Sequence, residues 1–430
     1  MAETKKLFIK TYGCQMNVYD SERMSEALGA SGYTETQTPD DADMILLNTC
    51  HIREKAAEKI YSELGRMKSL KTAKPDLKIG VAGCVAQAEG AEIMRRQPAV
   101  DLVVGPQSYH RLAEMEIKTR RGEKALDTDF PDDDKFLALK SRSKAKRGPT
   151  AFLTVQEGCD KFCAFCVVPY TRGSEVSRPA DRVIREAQEL VEAGVREITL
   201  LGQNVNAYGK RGLKRSVPFH ELLYRIASIP GLKRLRFTTS HPKDFTRECI
   251  LAYRDIGILV NHLHLPVQSG NNRILNEMRR MHTIEEYISV IDELKMVVPD
   301  IALSTDIIVG YPGESEAEFE DTLALMEKIK FNNSYMFSYS SRPNTPAQDF
   351  ADTVPQSMKS DRLQRTIELQ KRLTLEQGKK FVGKEVEVLV ENDLPEGIFT
   401  LVQGAREIGE MMTKDKRVAL ISATGSTRMG

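Results

Sequence analysis

Residues 155–175 read VQEGCDKFCAFCVVPYTRGSE. The stretch places Cys159, Cys163 and Cys166 in the pattern Cys-x3-Cys-x2-Cys, directly after a predicted strand at Phe152–Gln156. Three soft thiolates at this spacing can wrap a single iron–sulfur cluster. The loop therefore predicts a metal-cluster site at the end of the first strand of a domain.

The cysteine loop lacks a fourth cysteine nearby, whereas a four-iron cluster normally uses four cysteine ligands. Three ligands leave one iron open to an external chelator, and we expect this to be the amino and carboxyl groups of S-adenosylmethionine (SAM). An electron passed through that iron can cleave the sulfonium and release a 5′-deoxyadenosyl radical. The alternative is zinc, which needs a fourth ligand and usually paired Cys-x2-Cys knuckles, and neither is evident in the sequence.

Strand and helix patterns alternate about six times from Ala151 onward. Six parallel βα units predict an incomplete barrel whose site lies at the C-terminal ends of its strands. The later strands are predicted at Glu197–Leu201, Arg234–Thr238, His262–Val267, Leu303–Val309 and Ser334–Tyr339. Polar residues follow three of these strands, at Gln203, Ser240 and Gln268, and together they predict a pocket at that end of the barrel.

The N-terminal third carries three further cysteines, each after a predicted strand. Cys14, Cys50 and Cys84 follow strands at Leu7–Tyr12, Met44–Leu47 and Lys78–Ala82, and they lie 36 and 34 residues apart. Helical patterns between the strands predict a doubly wound parallel sheet, in which the C-terminal strand ends share one edge. The three thiols are therefore expected to converge on a second cluster. Small buried core residues are the alternative interpretation.

Length and composition are those of an ordinary multidomain globular protein. A chain of 430 residues predicts two or three domains, and a net charge of +1 means that any nucleic-acid binding must rest on local patches. The chain shows no signal-peptide pattern and no apolar run near the ~20 residues of a membrane span, so we expect a cytoplasmic protein that does not bind membranes. Residues 127–149 are highly charged, acidic first and then basic, and predict a linker.

Several long motifs resemble those of the radical-SAM methylthiotransferases, and the resemblance extends over nearly all of residues 5–385. The motifs are GCQMN at Gly13–Asn17, NTCHIREKA at Asn48–Ala56, the stretch at Val155–Glu175, LLGQNVNAYG at Leu200–Gly209 and DIIVGYPGE at Asp306–Glu314. The resemblance implies two [4Fe–4S] clusters with different tasks. The cluster on Cys159, Cys163 and Cys166 would bind SAM and generate the radical.

By the same resemblance, the cluster on Cys14, Cys50 and Cys84 would carry the sulfur, which a second SAM methylates. Phe165, Gln203, Ser240 and Gln268 would help to seat SAM, and these are the cofactor-binding residues that the family implies. Phe165 has a simpler alternative as an ordinary core aromatic.

Within this family the motifs are similar to the branch that acts on tRNA. That branch makes 2-methylthio-N6-isopentenyladenosine next to the anticodon, which implies the tRNA anticodon loop as substrate. It also implies a sulfur source and an electron donor such as flavodoxin or ferredoxin, and we expect a monomer. The alternatives are the same chemistry on a ribosomal-protein aspartate or on threonylcarbamoyl-adenosine tRNA, and more remotely a noncatalytic iron–sulfur or zinc RNA-binding protein.

The C-terminal end departs from the family pattern. Val386–Glu391 (VEVLVE) looks like the first strand of the small TRAM-type β-barrel that grips RNA, but residues 392–430 do not continue that barrel. The predicted fold is therefore α/β, with four segments. They are a doubly wound parallel-sheet domain at 1–126, a linker at 127–149, a partial (βα)6 barrel at 150–380 and a short, atypical β segment at 381–430.

Overall fold

The computed structural model describes residues 4–51, 56–130, 135–138, 147–210 and 217–384. The predicted β segment at 381–430 lies almost wholly outside these residues. Within the described part, two parallel α/β units follow one another along the chain, as the sequence predicts. No helix in this part is both long and apolar enough to cross a membrane.

The first unit is a six-stranded parallel sheet in the order β2-β1-β3-β4-β5-β6 within the described residues. Its strands are β1 (Lys5–Tyr12), β2 (Tyr33–Glu35), β3 (Met44–Thr49), β4 (Lys78–Gly83), β5 (Leu102–Val104) and β6 (Ala125–Asp127). Both faces of β3 are buried, Ile45 and Leu47 on one and Met44 and Leu46 on the other. Burial on both faces explains why this strand is continuously apolar.

Helices cover both faces of this sheet. They are α1 (Gln15–Gly29), α2 (Ala56–Ala73), α3 (Cys84–Glu89), α4 (Ala91–Arg96) and α5 (Leu112–Arg120), with a 3-10 turn at Tyr109–Arg111. The predicted strands before the N-terminal cysteines are thus confirmed. Cys50 and Cys84 directly follow β3 and β4, and Cys14 comes two residues after the end of β1, at the same edge of the sheet.

The second unit is a partial barrel built from two three-stranded parallel sheets. One has the order β7 (Thr150–Thr154), β10 (Glu197–Leu201), β11 (Arg234–Thr238), and the other β12 (His262–His264), β13 (Ala302–Val309), β14 (Asn333–Ser338). A parallel bridge between Leu235 and Leu259 brings the two sheets together. A short antiparallel pair, β8 (Gln156–Glu157) with β9 (Val176–Ser177), closes the base of the cysteine loop.

Eight helices of the described residues belong to this unit, and most of them pack around the outside of the barrel on a common apolar core. They are α7 (Val168–Arg172), α8 (Ala180–Glu192), α9 (Phe219–Ala227), α10 (Arg247–Asp255), α11 (Asn272–Glu277), α12 (Ile284–Val297), α13 (Glu316–Ile329) and α14 (Gln356–Gly378), with 3-10 turns at Val205–Ala207, Pro242–Asp244, Pro346–Asp349 and Lys379–Phe381. Thr283 with Glu286, and Ser315 with Glu318, form capping boxes at two helix starts, as predicted.

One predicted strand is shorter than expected. The sequence predicts His262–Val267, but regular pairing ends at His264 and resumes only as a bridge between Gln268 and Ile307. Pro266 lies in the gap and has no backbone N–H to donate to the ladder. Its carbonyl instead accepts a hydrogen bond from Arg280 Nη2 at 2.6 Å.

Described residues of the charged segment at 127–149 pack against the rest of the protein, whereas a simple linker would be exposed. Its described residues include a short helix, α6 (Lys135–Ala138), whose Lys135 side chain is buried. At its basic end, Arg147 pairs with Glu22 and Glu26 of α1. The two units share an interface in which Met16 and Tyr19 of α1 pack against Leu201 and Phe152 of the barrel.

Candidate active site

The barrel cysteines lie on one loop between β8 and α7. The Cys159 N–H donates to the carbonyl of Gly173 at 3.2 Å, and the Cys166 N–H to that of Cys163 at 3.0 Å, so the loop folds back on itself. Burial raises the pKa of Cys159 to about 11 and that of Cys166 to about 12, and Cys163 adds to both shifts. The structure therefore brings the three predicted cysteines together, close enough for their charges to interact.

Arg280 contacts this cysteine triad and was not identified from the sequence. Its Nη1 lies 3.6 Å from Cys163 Sγ, and its Nη2 is bonded to the Pro266 carbonyl. The side chain is buried, and its guanidinium lies against the sulfur of a predicted cluster ligand. In the sequence it sits in the unremarkable run MRRMH, 117 residues after Cys163, so no local signal connects the two.

The N-terminal cysteines also converge. Cys14 caps the start of α1, Cys50 follows β3 and Cys84 is the first residue of α3. A hydrogen bond from Cys50 is the main reason that the pKa of Cys14 falls to about 6, and the charge of Arg172 adds to the fall against the effect of burial. Burial raises the pKa of Cys84, which Cys14 raises further and Arg172 opposes.

Gly13 and Gly83 allow this convergence. Both adopt positive φ angles, 134° and 90°. A Cβ on Gly13 would stand 2.3 Å from Cys50 Cβ, and one on Gly83 would stand 2.4 Å from the carbonyl oxygen of Thr49. Only glycine permits these approaches without displacing the neighbouring strand end.

Asn17 connects two of the strand ends that carry cysteines. Its Oδ1 accepts from the backbone N–H of Cys14 at 3.4 Å, and its Nδ2 donates to the carbonyl of Thr49 at 3.3 Å. Cys14 Sγ also lies 3.3 Å from Asn17 Oδ1. Asn17 is thus a helix-capping residue that also contacts a cysteine, whereas the neighbouring Gln15 is exposed.

Unpartnered polar atoms mark the mouth of the barrel beside the cysteine loop. Ser240 Oγ, Asn204 Oδ1, His241 Nε2 and Glu175 Oε1 are buried and have no hydrogen-bond partner among the described residues. Buried polar atoms normally find partners, so this group fits a polar ligand such as SAM. Burial, with the charges of Asp160 and Asp244, raises the pKa of Glu175 to about 7.

The four residues expected to seat SAM have different surroundings. Ser240 has the unpartnered hydroxyl, whereas Gln203 Oε1 accepts from the Gly158 N–H at 2.7 Å. Gln268 is buried with φ at 78° and pairs with Asp306 and Ile308 through its backbone. Phe165 is half-buried against a small apolar cluster that includes Tyr311. Their contact with SAM stays a prediction.

The donor set suits iron–sulfur chemistry, since each triad consists of thiols, and three thiolates in one loop or at one sheet edge are typical cluster ligands. In the described part of the chain, no three His, Cys, Asp or Glu groups converge as the ligands of a single metal ion would. The assignment of the six cysteines as ligands stays a prediction.

Comparisons with known families match three parts of the chain. Residues 6–105 match an uncharacterized protein family, UPF0004, and residues 153–326 match the Radical SAM superfamily. Residues 380–430 match the aldehyde dehydrogenase family. They include the segment for which the sequence predicts a divergent RNA-binding β structure, a prediction that concerns residues outside the described ones.

Solved structures with similar folds are radical-SAM enzymes. The methyltransferase TsrM from Kitasatospora setae superposes with a TM-score of 0.59 and 13% identity, covering 80% of this chain and 75% of its own. The cobalamin-dependent enzyme OxsB superposes with a TM-score of 0.54 and 13% identity, covering 86% of this chain and 56% of its own. At this identity the likeness concerns the fold alone, and it agrees with the predicted radical-SAM barrel.

Relatives of known name are much more similar in sequence. A protein from Ruegeria pomeroyi is 65% identical over 391 residues, which is 91% of this chain and 89% of that protein. Another from Agrobacterium fabrum is 56% identical over 400 residues, covering 91% and 88%. Both are named tRNA-2-methylthio-N(6)-dimethylallyladenosine synthase, so the resemblance to the tRNA branch is confirmed and the other branches are not favoured. The chain therefore belongs to the tRNA-2-methylthio-N(6)-dimethylallyladenosine synthases, a family of radical-SAM methylthiotransferases.

Proposed function

We propose that this chain adds a methylthio group to C2 of N6-isopentenyladenosine next to the anticodon of tRNA. The observation that carries the proposal is the pair of cysteine triads, in a chain 65% identical to a named relative. In this reaction a C2–S bond replaces the C2–H bond. The hydrogen leaves on 5′-deoxyadenosine, and a second SAM supplies the methyl group.

Cys159, Cys163 and Cys166 would hold the cluster that leaves one iron to SAM, and Cys14, Cys50 and Cys84 would hold the second cluster. When bound, the clusters and SAM supply the radical, the sulfur and the methyl group. The chain itself orients the ligands and keeps the barrel cluster from water, since Cys163 is buried and Cys159 and Cys166 are half-buried. Arg280 orients Cys163 through its contact with the sulfur.

Phe165, Gln203, Ser240 and Gln268 would seat SAM. Ser240 offers an unpartnered hydroxyl at the mouth of the barrel, and Glu175 offers an unpartnered carboxyl oxygen beside it in the same polar group. Phe165 presents a half-buried ring between the second and third cysteines, which suits contact with a flat base. Gln203 holds the backbone before Cys159 through its bond to Gly158.

Two exposed aromatic side chains on and beside the cysteine loop could stack an unpaired nucleotide of the anticodon loop. Phe162 and Tyr170 are 46% and 40% exposed, with their ring centroids 6.2 Å apart. Phe162 holds a φ of 48°, unusual for a bulky residue and often found at functional sites. Exposed aromatic rings stack unpaired RNA bases, which supports a single-stranded loop as the substrate.

The reaction also needs an electron donor, such as flavodoxin or ferredoxin, and a sulfur source. We further propose a monomer that acts in the cytoplasm, with the methylthiotransferase domain at 1–126, the linker at 127–149 and the barrel at 150–380. For residues 381–430, an RNA-binding role remains the proposal despite their match to another family.

Mass spectrometry of tRNA nucleosides tests the function directly. A strain without the gene should lose 2-methylthio-N6-isopentenyladenosine, accumulate N6-isopentenyladenosine, and recover on complementation with this chain. Complementation with a Cys163→Ala variant is the matched control and should not restore the modification. An unchanged nucleoside profile in the deletion strain would refute the assignment.

A further inference from the structure

Four buried charged side chains form a cluster where the two units meet. Arg172, the last residue of α7, donates from Nη2 to Asp20 at 2.6 Å and from Nη1 to Glu157 at 2.8 Å. Lys135 lies 2.5 Å from the second oxygen of Glu157. Each of these side chains is at most 2% exposed. Burial on this scale is rare for charged groups unless they are paired.

Arg172, one of the two cations of this cluster, lies close to the N-terminal cysteines. Helix α7 packs against α3, which begins at Cys84. The charge of Arg172 adds to the fall in the pKa of Cys14 and opposes the rise in the pKa of Cys84 that burial causes. Asp20, which orients the guanidinium, lies on α1, the helix that Cys14 caps.

The same segment also carries the barrel cysteines. Cys166 precedes the start of α7 by two residues, and Glu157 precedes Cys159 by two. Residues 157–172 therefore contain the whole barrel triad. Glu157 at one end and Arg172 at the other bond to each other within the cluster of buried charges. This short segment joins the two sulfur sites.

We propose that Arg172, supplied by the barrel and buried where α7 packs against α3, raises the reduction potential of the cluster held by Cys14, Cys50 and Cys84. The inference rests on the proposed function, in which these cysteines hold a cluster. A buried cation close to a cluster stabilises its more negative, reduced state. Arg172 thus acts on the sulfur-carrying site from the segment that also carries the radical-generating loop.

Arg178 provides a matched control. It is buried, lies on the same side of the interface, and donates to Tyr19 Oη of α1 at 3.3 Å and to Glu186 at 2.6 Å. Among the described residues, its hydrogen bonds go to Tyr19, Glu186 and the carbonyl of Thr154, and none goes to a cysteine. Replacing Arg178 disturbs the interface without removing a charge from the sulfur site.

The test uses the full chain with Cys159, Cys163 and Cys166 replaced by alanine, reconstituted without oxygen so that only the N-terminal cluster is loaded. Its midpoint potential is followed by electron paramagnetic resonance during redox titration. Arg172→Gln should shift the midpoint to a more negative value, Arg172→Lys should shift it less, and Arg178→Gln should leave it unchanged. In Arg172→Gln, Asp20 and Glu157 also lose their partner, which shifts the potential in the same direction.

An unchanged midpoint in Arg172→Gln, or an equal shift in Arg178→Gln, would overturn the proposal. If Arg172→Gln does not fold, judged by its thermal unfolding, Arg172→Lys decides, since it keeps the charge and loses the planar fork. If the parent triple variant takes up no iron, the second cluster of the proposed function fails, and that outcome is distinct from a potential that does not respond to Arg172.

Discussion

The two cysteine triads reach similar chemistry by different routes. The barrel triad comes from one loop of eight residues, Cys159–Cys166, so its spacing is written in the local sequence. The N-terminal triad comes from three strand ends 36 and 34 residues apart, and only the parallel sheet brings them together. A local triad can form wherever its loop folds, whereas a dispersed one depends on the register of β1, β3 and β4.

The triads also differ in the source of their cation. Arg280 contacts Cys163 from within the barrel that carries that cysteine. Arg172 acts on Cys84 from the barrel, across the interface between the units. The arginine at the barrel triad therefore comes from the same unit as its cysteines, whereas the N-terminal triad gains its arginine only when the two units are packed together.

The largest expected difference is between one ligand of each triad. Cys163→Ala should abolish 5′-deoxyadenosine formation, because the cluster that activates SAM is lost. Cys50→Ala should retain SAM cleavage while methylthio transfer stops. Chromatography of 5′-deoxyadenosine, together with nucleoside mass spectrometry of tRNA, measures both. Equal loss of cleavage in the two variants would contradict this division of labour.

Gly13→Ala should lower the iron content from about eight to about four per chain, since each cluster holds four irons. The added methyl group would overlap Cys50 Cβ and displace a ligand of the dispersed triad, leaving the local triad intact. Gly29→Ala is the control, because a Cβ there meets nothing within 4 Å. Iron and sulfide analysis after anaerobic reconstitution gives the answer, and full loading of Gly13→Ala would show that the strand ends can adjust.

Replacing either interface arginine, Arg172 or Arg178, should lower the free energy of unfolding, whether or not that arginine acts on a cysteine. Arg172→Gln removes the cation that pairs with the buried Asp20, and Arg178→Gln removes the cation that pairs with the buried Glu186. Each loss costs about 3–5 kcal/mol of unfolding free energy. Anaerobic denaturant unfolding of the metal-free chain measures this. Similar losses in both variants would separate the stability of the interface from the potential of the cluster, whereas a loss below about 1 kcal/mol would mean that the charges are solvated.

The smallest effect is expected from removing residues 385–430. Both triads and the polar group at the barrel mouth lie before Lys384, so iron content and 5′-deoxyadenosine formation should not change. The KM for tRNA is the informative readout. A higher KM would support an RNA-binding role for this segment, while loss of iron would show that it supports the fold of the barrel.

Much of the fold and of the candidate site could be predicted from the sequence because both rest on local patterns. Periodic apolar runs located the three strands that precede the N-terminal cysteines and the six barrel strands to within a few residues, but they did not reveal the three-residue strands β2, β5 and β6. The capping boxes at Thr283 and Ser315 were visible as spacings. The misjudged end of β12 has a local cause, the missing N–H of Pro266. The packing of Lys135 and Arg147 was missed because a charged run normally indicates solvent exposure.

The sequence by itself determined which residues are the candidates for the sulfur chemistry, since cysteine spacing, strand order and glycines at strand ends are encoded within one or two elements. Only the tertiary structure decided which charged side chains lie next to these cysteines. Arg172 and Arg280 carry no local signature, because a buried cation is specified by partners from distant segments: Asp20 for Arg172, and Cys163 with Pro266 for Arg280. Removing water from a charge is costly, so these cations can be buried only where the folded chain brings a partner within hydrogen-bonding distance.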